Sequence, residues 1–309
     1  MDLEVSRRKV MECMAWGPGV VWALVAGIPT AFSMDTLDGR SGAAATVSSF
    51  SFAQISDSHI GFDKAANPNS SGTFRDGLAI LKNSVAKPSF LIHTGDITHL
   101  SKAEQFDTAA QMVQESGFET HYVPGEHDMV DENNGKLYMD RYGKGTKGAG
   151  WYSFNDQGVH FIGLVNVVDL KAGGMGNLGQ AQLDWLKNDL SVLSASTPIV
   201  VFAHIPLWTV YKQWGWGTQD SGEALSYLKR FGSVTVLNGH IHQVLQKVEG
   251  NVSFHTARAT GFAQPAPGTA PAPGPMVVAA GQLKDYLGVT TVSVTPNQPR
   301  LLINDATLA

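Results

Sequence analysis

From about Ser49 onward, short apolar runs of strand length alternate with segments whose apolar residues recur at helical spacing. Phe50 to Ile55, Phe90 to His93 and Glu119 to Val123 predict strands, with helices between them at Thr73 to Val85 and Ala103 to Glu115. The second half repeats the pattern: strands at Trp151 to Phe154, Val159 to Val165, Ile199 to Ala203 and Val234 to Leu237, and helices at Gln180 to Leu193 and Gly222 to Arg230. Such β-α-β alternation marks an α/β layered fold. From Val244 the pattern changes to paired strands, Val244 to Val248 with Val252 to Thr256 and Gly288 to Val294 with Arg300 to Asn304, so a mixed sheet with outer helices is predicted. Gln264 to Pro275, dense in Pro, Ala and Gly, favours extended polyproline geometry in a surface loop. Neither an internal repeat nor a second hydrophobic core interrupts residues 49–309, which read as one domain.

Residues 1–33 follow a different pattern, a short charged stretch with Ser6, Arg7, Arg8 and Lys9 ahead of an apolar run from Cys13 to Phe32. That is the layout of a targeting signal. Ser-Arg-Arg-Lys-Val resembles the twin-arginine export signal, which implies a periplasmic or otherwise exported protein. Ala31 with Ser33 suits a cleavage site, and Ala43 to Ala45 competes with it. An uncleaved anchor is the alternative, but Gly17, Pro18, Gly19, Gly27 and Pro29 make a poor spanning helix. Cys13, the only cysteine of the chain, would leave with the signal, which excludes disulfide and thiolate chemistry from the mature protein.

The chain has 309 residues, 43% hydrophobic and 16% charged, enough for a sizeable core. Its formal net charge is −5, and it stays −5 without residues 1–33, which hold three basic and three acidic groups. With no basic stripe, no nucleic-acid partner is expected, so a nuclease reading is disfavoured and any phosphate must be attracted locally.

Ligand-type side chains follow five of the apolar runs: Asp57-Ser-His59, Gly95-Asp96, Gly125-Glu126-His127-Asp128, His204 and Gly239-His240-Ile-His242. Placed at strand ends, they converge on one sheet edge, where open α/β sheets hold their sites. Carboxylates mixed with imidazoles, and no thiolate, suit Mn, Fe or Zn. Taken singly, each is an ordinary turn or core residue, the reading kept for His93, His99, His121, His160 and His255. His99 is also placed to act behind the ligands, three residues after Asp96.

In this order the five elements resemble the motifs of the calcineurin-like metallophosphoesterases, over residues 50–242. The resemblance implies two mixed sheets packed as a sandwich and flanked by helices, a four-layer α/β/β/α fold, around a dinuclear site. It implies one metal held by Asp57, His59 and His242, a second by Glu126, His204 and His240, and Asp96 between them. The cofactors would be two divalent or mixed-valence transition-metal ions. His127 would stand over the site as proton donor or phosphate partner. Gln182, Trp185 and Leu186 fall where members of the family carry Gln-x-x-Trp-Leu. In the related purple acid phosphatases a tyrosine occupies the position of His99, so no tyrosinate colour is expected.

The activity implied is hydrolysis of a small phosphate ester by a metal-bridging hydroxide, with two cations stabilising the charge of in-line displacement. His127 is the candidate to meet the leaving oxygen. Asp128 either orients His127 or caps a turn. Glu126 departs from the family pattern, which has a neutral asparagine there. One extra charge at ~5 Å opposes an incoming phosphate by up to ~3 kcal/mol at an effective dielectric of ~20. A dianionic monoester is penalised more than a diester, so diesters are favoured. The competing reading is a non-catalytic periplasmic metal-binding or sensing protein, with Glu126 trading activity for metal affinity. The stretch from Trp208 to Trp216 is aromatic and broken by Gly215, either a wall beside the metals or simple packing. No stable membrane association is expected once the signal is removed.

Changing both Arg7 and Arg8 to lysine should leave folded protein in the cytoplasm. Fractionation that finds the variant still exported would replace the twin-arginine reading with a Sec signal.

Overall fold

A computed structural model describes residues 47–309 except 132, 133, 172 and 299, together with short N-terminal strands. The chain divides into two compact units, Met1–Ala45 and Thr46–Ala309. In the first, the backbone forms β1 (Ala15–Gly17), β2 (Val20–Val25) and β3 (Ile28–Ser33), paired antiparallel in sequence order. Arg7, Arg8, Cys13 and Ala43 to Ala45, on which the export reading rests, lie outside the described residues. Among the described residues no helix is long and apolar enough to cross a membrane.

The second unit is a sandwich of two mixed sheets flanked by helices. Its five-stranded sheet contains β4 (Phe50–Ile55), β5 (Leu91–His93), β6 (Thr120–Tyr122), β13 (Gly288–Val294) and β14 (Leu302–Thr307), in the order β14-β13-β4-β5-β6. The six-stranded sheet runs β11-β12-β10-β9-β8-β7, from β7 (Tyr152–Asp156), β8 (Val159–Gly163), β9 (Ile199–Phe202), β10 (Val234–Asn238), β11 (Gln246–Glu249) and β12 (Val252–Thr256). Strands β4, β5 and β6 are parallel, as are β8, β9, β10 and β12, while antiparallel hairpins form the edges other than β6. Parallel pairing points successive carboxyl ends to the same edge.

Side-chain alternation along the strands builds three layers of core. Phe52, Ile92, Phe161, Val200, Phe202 and Leu237 face inward and fill the space between the sheets. Their neighbours Ala53, Ile55 and Leu91 turn outward to pack under α1 (Ser70–Lys82) and α2 (Ala103–Ser116). On the other side Ile162, Ile199, Val201, Val234 and Val236 pack under α4 (Gln180–Ser191) and α5 (Ser221–Leu228). Two short helices complete the set, α3 (Lys136–Tyr142) and α6 (Leu283–Tyr286). Gln182 fastens α4 to the chain after β8, its amide accepting from the Val165 N–H (2.8 Å) and donating to the Val165 and Leu178 carbonyls.

Asp305 on β14 ties the two sheets, accepting from Thr290 on β13 (2.7 Å) and facing Nε2 of His255 on β12 (3.1 Å). Burial opposes its ionisation, but those hydrogen bonds hold its pKa below the ordinary carboxylate value. A depressed carboxylate stabilises the fold above its unfolded pKa of ~4 and loses that contribution as pH falls through the folded value. Asp305→Asn should therefore lower Tm by roughly 2–6 °C at neutral pH, about 1–2 kcal/mol. The difference should close below about pH 4; a gap constant with pH would assign the loss to packing instead of charge.

Candidate metal centre

Each chemistry-bearing side chain sits on the turn that leaves a parallel strand. Asp57 and His59 follow β4, Asp96 follows β5, and Glu126 and His127 lie on a short 3₁₀ turn after β6. From the other sheet, His204 follows β9, and His240 and His242 follow β10. Five of these residues take left-handed backbone: Asp57 (φ 52°), His59 (42°), Asp96 (52°), His240 (70°) and His242 (56°). Such conformations cost non-glycine residues on the order of 1–3 kcal/mol each and persist only where surrounding bonds over-determine them. Those bonds are present: Asp57 N–H donates to Gly95 O (3.0 Å), His59 N–H to Asp96 O (2.9 Å), and His240 N–H to both Asp57 carboxylate oxygens (3.1 Å). Gly125 lets the third turn approach, because a Cβ there would stand 2.1 Å from Asp96 Oδ1.

The side chains form two trios whose ligand-type atoms lie within 4.8 Å of one another, Asp57 with His59 and His242, and Glu126 with His204 and His240. In the first, His242 Nε2 is 3.3 Å from Asp57 Oδ1 and 3.4 Å from His59 Nε2. In the second, Glu126 reaches both imidazoles, Oε2 to His204 Nε2 at 2.9 Å and Oε1 to His240 Nδ1 at 3.0 Å. Asp96 Oδ2 stands between the trios, 3.4 Å from His59 Nε2 and 3.5 Å from His204 Nε2. All seven residues named from the sequence are thus brought together.

The donor set fits cations. His204 Nδ1 faces the Thr94 carbonyl (2.7 Å) and His242 Nδ1 the Phe262 carbonyl (2.6 Å). Carbonyls only accept, so each Nδ1 carries a proton, and the neutral form of either ring turns its Nε2 lone pair inward. Glu126 Oε2, opposite His204 Nε2, is buried and has no hydrogen-bond partner. Two such atoms attract only with a proton or a metal ion between them.

Charges follow the same logic. Burial would raise the carboxyls of Asp57 and Glu126, yet the neighbouring histidines hold Asp57 at about 2 and Glu126 well below its usual range. Burial, with His127, His242 and His99 nearby, pushes His59 well below the imidazole range. For His127 burial acts downward too, but the carboxylates of Asp96 and Glu126 outweigh it and raise its pKa.

The His127 backbone N–H donates to Asp96 Oδ1 (2.9 Å), and its ring Nδ1 meets the His99 carbonyl (2.7 Å) and stacks on the His99 ring. Asp128 does not orient that ring. Its carboxylate accepts from the N–H groups of Ile97 (3.0 Å), Thr98 (2.8 Å) and Gly125 (3.0 Å) and from the Thr98 hydroxyl (2.9 Å), so it clamps the β5 turn to the β6 turn. Of the two readings left open for Asp128, the turn tie is the one the structure displays.

Two residues of each trio, His59 with His242 and Glu126 with His240, floor a cleft of about 510 Å³ together with Asp96. Trp214 and Trp216 line it and pack edge to face at 4.9 Å, joining both readings of that stretch, whereas Trp208 lies against Phe254. Gln264 and residues 273–275 of the proline-rich segment line the cleft as well, so the segment is a wall of the site and not merely a surface loop. Lys171 is the one Lys or Arg among the lining residues. His99, read from the sequence as either an ordinary histidine or a residue behind the ligands, lines the cleft with its Nδ1 3.4 Å from His59 Nδ1. The other histidines are structural: His121 stacks on Phe154, His160 pairs with Asp189, His255 with Asp305, and buried His93 meets Ser58.

A family model for calcineurin-like phosphoesterases matches residues 50–244. The chain is 23% identical over 180 residues to a probable cyclic nucleotide phosphodiesterase of Psychrobacter sp. (strain PRwf-1). That similarity covers 56% of this chain and 52% of the relative, so the chain spans about half the relative's length. Among solved structures it is similar to a dimetal phosphatase from Danio rerio, with TM-score 0.59 and 14% identity over 84% of this chain and 98% of that one. It is also similar to a purple acid phosphatase isolated from yellow lupin (Lupinus luteus) seeds, with TM-score 0.60 and 13% identity over 94% and 57%. A third likeness is to the anchor in the inner membrane complex of Plasmodium, with TM-score 0.55 and 14% identity over 84% and 85%. At these identities the structural likenesses show the fold alone.

Chelator-treated protein should gain thermal stability on addition of Mn²⁺ or Zn²⁺, by about 2.7 kcal/mol when the metal is at a hundredfold its Kd. Asp96→Ala should bind neither ion tightly in titration calorimetry. Full metal occupancy in that variant would remove Asp96 from the centre.

Proposed function

We propose that this chain, which belongs to the calcineurin-like phosphoesterase family and is a phosphoric ester hydrolase, is an exported enzyme that favours phosphodiesters over monoesters. The observation that carries the reading is the pair of trios with Asp96 between them on the floor of one cleft. Two transition-metal ions of Mn, Fe or Zn type, when bound there, orient and polarise a phosphate and acidify an attacking water. The seven side chains hold that charge in place, and the left-handed turns that present five of them keep the lone pairs converged before substrate arrives. His127 donates a proton from Nε2 to the leaving oxygen, since its Nδ1 is engaged by the His99 carbonyl.

The diester preference rests on Glu126. Its two oxygens span His204 and His240, adding a negative charge at the second trio where the family pattern has asparagine. That charge repels a dianionic monoester more than a monoanionic diester. The description of the Psychrobacter relative as a probable cyclic nucleotide phosphodiesterase supports a diester substrate. Arg7 and Arg8 ahead of the apolar run support export by the twin-arginine route, with residues 1–33 as the signal and 49–309 as the single enzymatic domain.

With saturating Mn²⁺, the protein should hydrolyse bis(p-nitrophenyl) phosphate faster than p-nitrophenyl phosphate, and His127→Ala should lower kcat by about a hundredfold. Glu126→Asn should raise kcat/KM for the monoester relative to the diester by roughly ten- to a hundredfold and hold the second metal more weakly. An unchanged ratio with metal bound would separate substrate choice from Glu126. No turnover in fully loaded wild type would favour the non-catalytic metal-binding reading.

A further inference from the structure

Beneath the candidate centre lies a chain of buried polar side chains whose hydrogen-bond directions are fixed. Gln54 Nε2 lies 2.9 Å from the Asn238 carbonyl and 3.0 Å from Thr94 Oγ1. A backbone carbonyl cannot donate, so the amide nitrogen faces that side and also donates to the Thr94 hydroxyl. The Thr94 proton is then free for Ser56 Oγ at 2.7 Å, and the Ser56 proton for Asp57 Oδ2 at 2.5 Å. A carboxylate only accepts, so every bond in the series points toward Asp57. Gln54, Ser56, Asp57 and Thr94 are fully buried, so water does not compete for these bonds. Close packing protects the series from above, since a Cβ on Gly239 would stand 2.0 Å from Ser56 Oγ and 2.6 Å from Asp57 Oδ2.

Thr94 supports one residue of each trio. Its hydroxyl feeds Asp57 through Ser56, while its carbonyl receives His204 Nδ1 at 2.7 Å. Gln54 extends the link to the Asn238 carbonyl, at the start of the turn that carries His240 and His242, and Asn238 Nδ2 donates to Ala203 O (2.9 Å) just before His204. Four strand ends, two from each sheet, are joined by groups that do not line the cleft.

We propose that Gln54, Thr94 and Ser56 are positioning residues, a one-way hydrogen-bond relay that fixes the orientation of the Asp57 carboxylate and, through Thr94, couples the two metal trios to each other. The proposal rests on the metal-centre reading above. Outer partners of ligand side chains typically govern metal affinity by ten- to a hundredfold, and a relay that polarises its last bond belongs at the upper end.

The test is titration of chelator-stripped full-length protein with Mn²⁺ by calorimetry, alongside circular dichroism to show folding. Ser56→Ala should weaken the first Mn²⁺ bound by ten- to a hundredfold. Thr94→Val, which keeps the carbonyl and the side-chain shape, should show a smaller loss that Thr94→Ser reverses. At Mn²⁺ high enough to fill the site, kcat should recover while the metal requirement stays raised, a split that a general loss of stability does not produce. Asp57→Asn distinguishes the two levels of the argument. If it binds Mn²⁺ as wild type does, the metal-centre reading falls; if it loses the metal while folded Ser56→Ala and Thr94→Val bind normally, the relay alone is overturned. Should Ser56→Ala fail to fold, the Thr94→Val and Thr94→Ser pair decides, and equal affinities in those two overturn the relay.

Discussion

Phe52, Phe90 and Phe161 set how far apart the two sheets stand, and the candidate centre depends on that spacing. Phe52 stacks on Phe90 at 5.4 Å, and Phe161 meets both edge on, at 5.3 and 5.4 Å. Neither trio comes from one sheet: His242 crosses from β10 to join Asp57 and His59, and Glu126 crosses from β6 to join His204 and His240. Interiors at this density transmit strain and do not absorb it, and ligand positions tolerate displacements well under about 1 Å. The aromatic layer is therefore part of the site, although none of its rings lines the cleft.

Much of this was legible in the sequence because the strong signals are local. A ligand-type residue directly after an apolar run is visible without a structure, and all seven of Asp57, His59, Asp96, Glu126, His204, His240 and His242 converge in the fold. Element positions were close, and their ends moved for identifiable reasons. Helix α1 starts at Ser70 and not at Thr73 because Asn69 caps it, accepting from the Gly72 N–H (2.9 Å). Helix α3, seven residues long, is too short to show periodicity; it is set by the Asp131 carboxylate, which accepts from Gly135 and Leu137 N–H. The paired-strand reading found β11 with β12 but not the parallel partnership of β12 with β10.

What was not legible is what depends on distant contacts. For His99 the sequence offered only its spacing from Asp96, and its meeting with His59, 40 residues away, appears only in the fold. Ser56, Thr94 and Gln54 are common residue types whose importance lies in neighbours as far as 184 positions away. Asp128 was open to two readings because the amides it accepts from, at residues 97 and 98, are adjacent only after β5 and β6 have paired.

Floor and wall of the cleft are built from separable parts of the chain. Five of the site residues are locked to their strand ends by left-handed turns, and buried bonds hold the rest, so substitutions there disturb several neighbours at once. Wall residues such as Trp214, Gln264 and Pro273 come from connections outside the two sheets and meet the floor turn through bonds such as Gln264 Nε2 to the His240 carbonyl at 3.0 Å. Selection can thus rewrite the wall by small insertions and exchanges while the floor stays frozen. Over generations, a lineage of such proteins would retain its chemistry and drift in what it recognises.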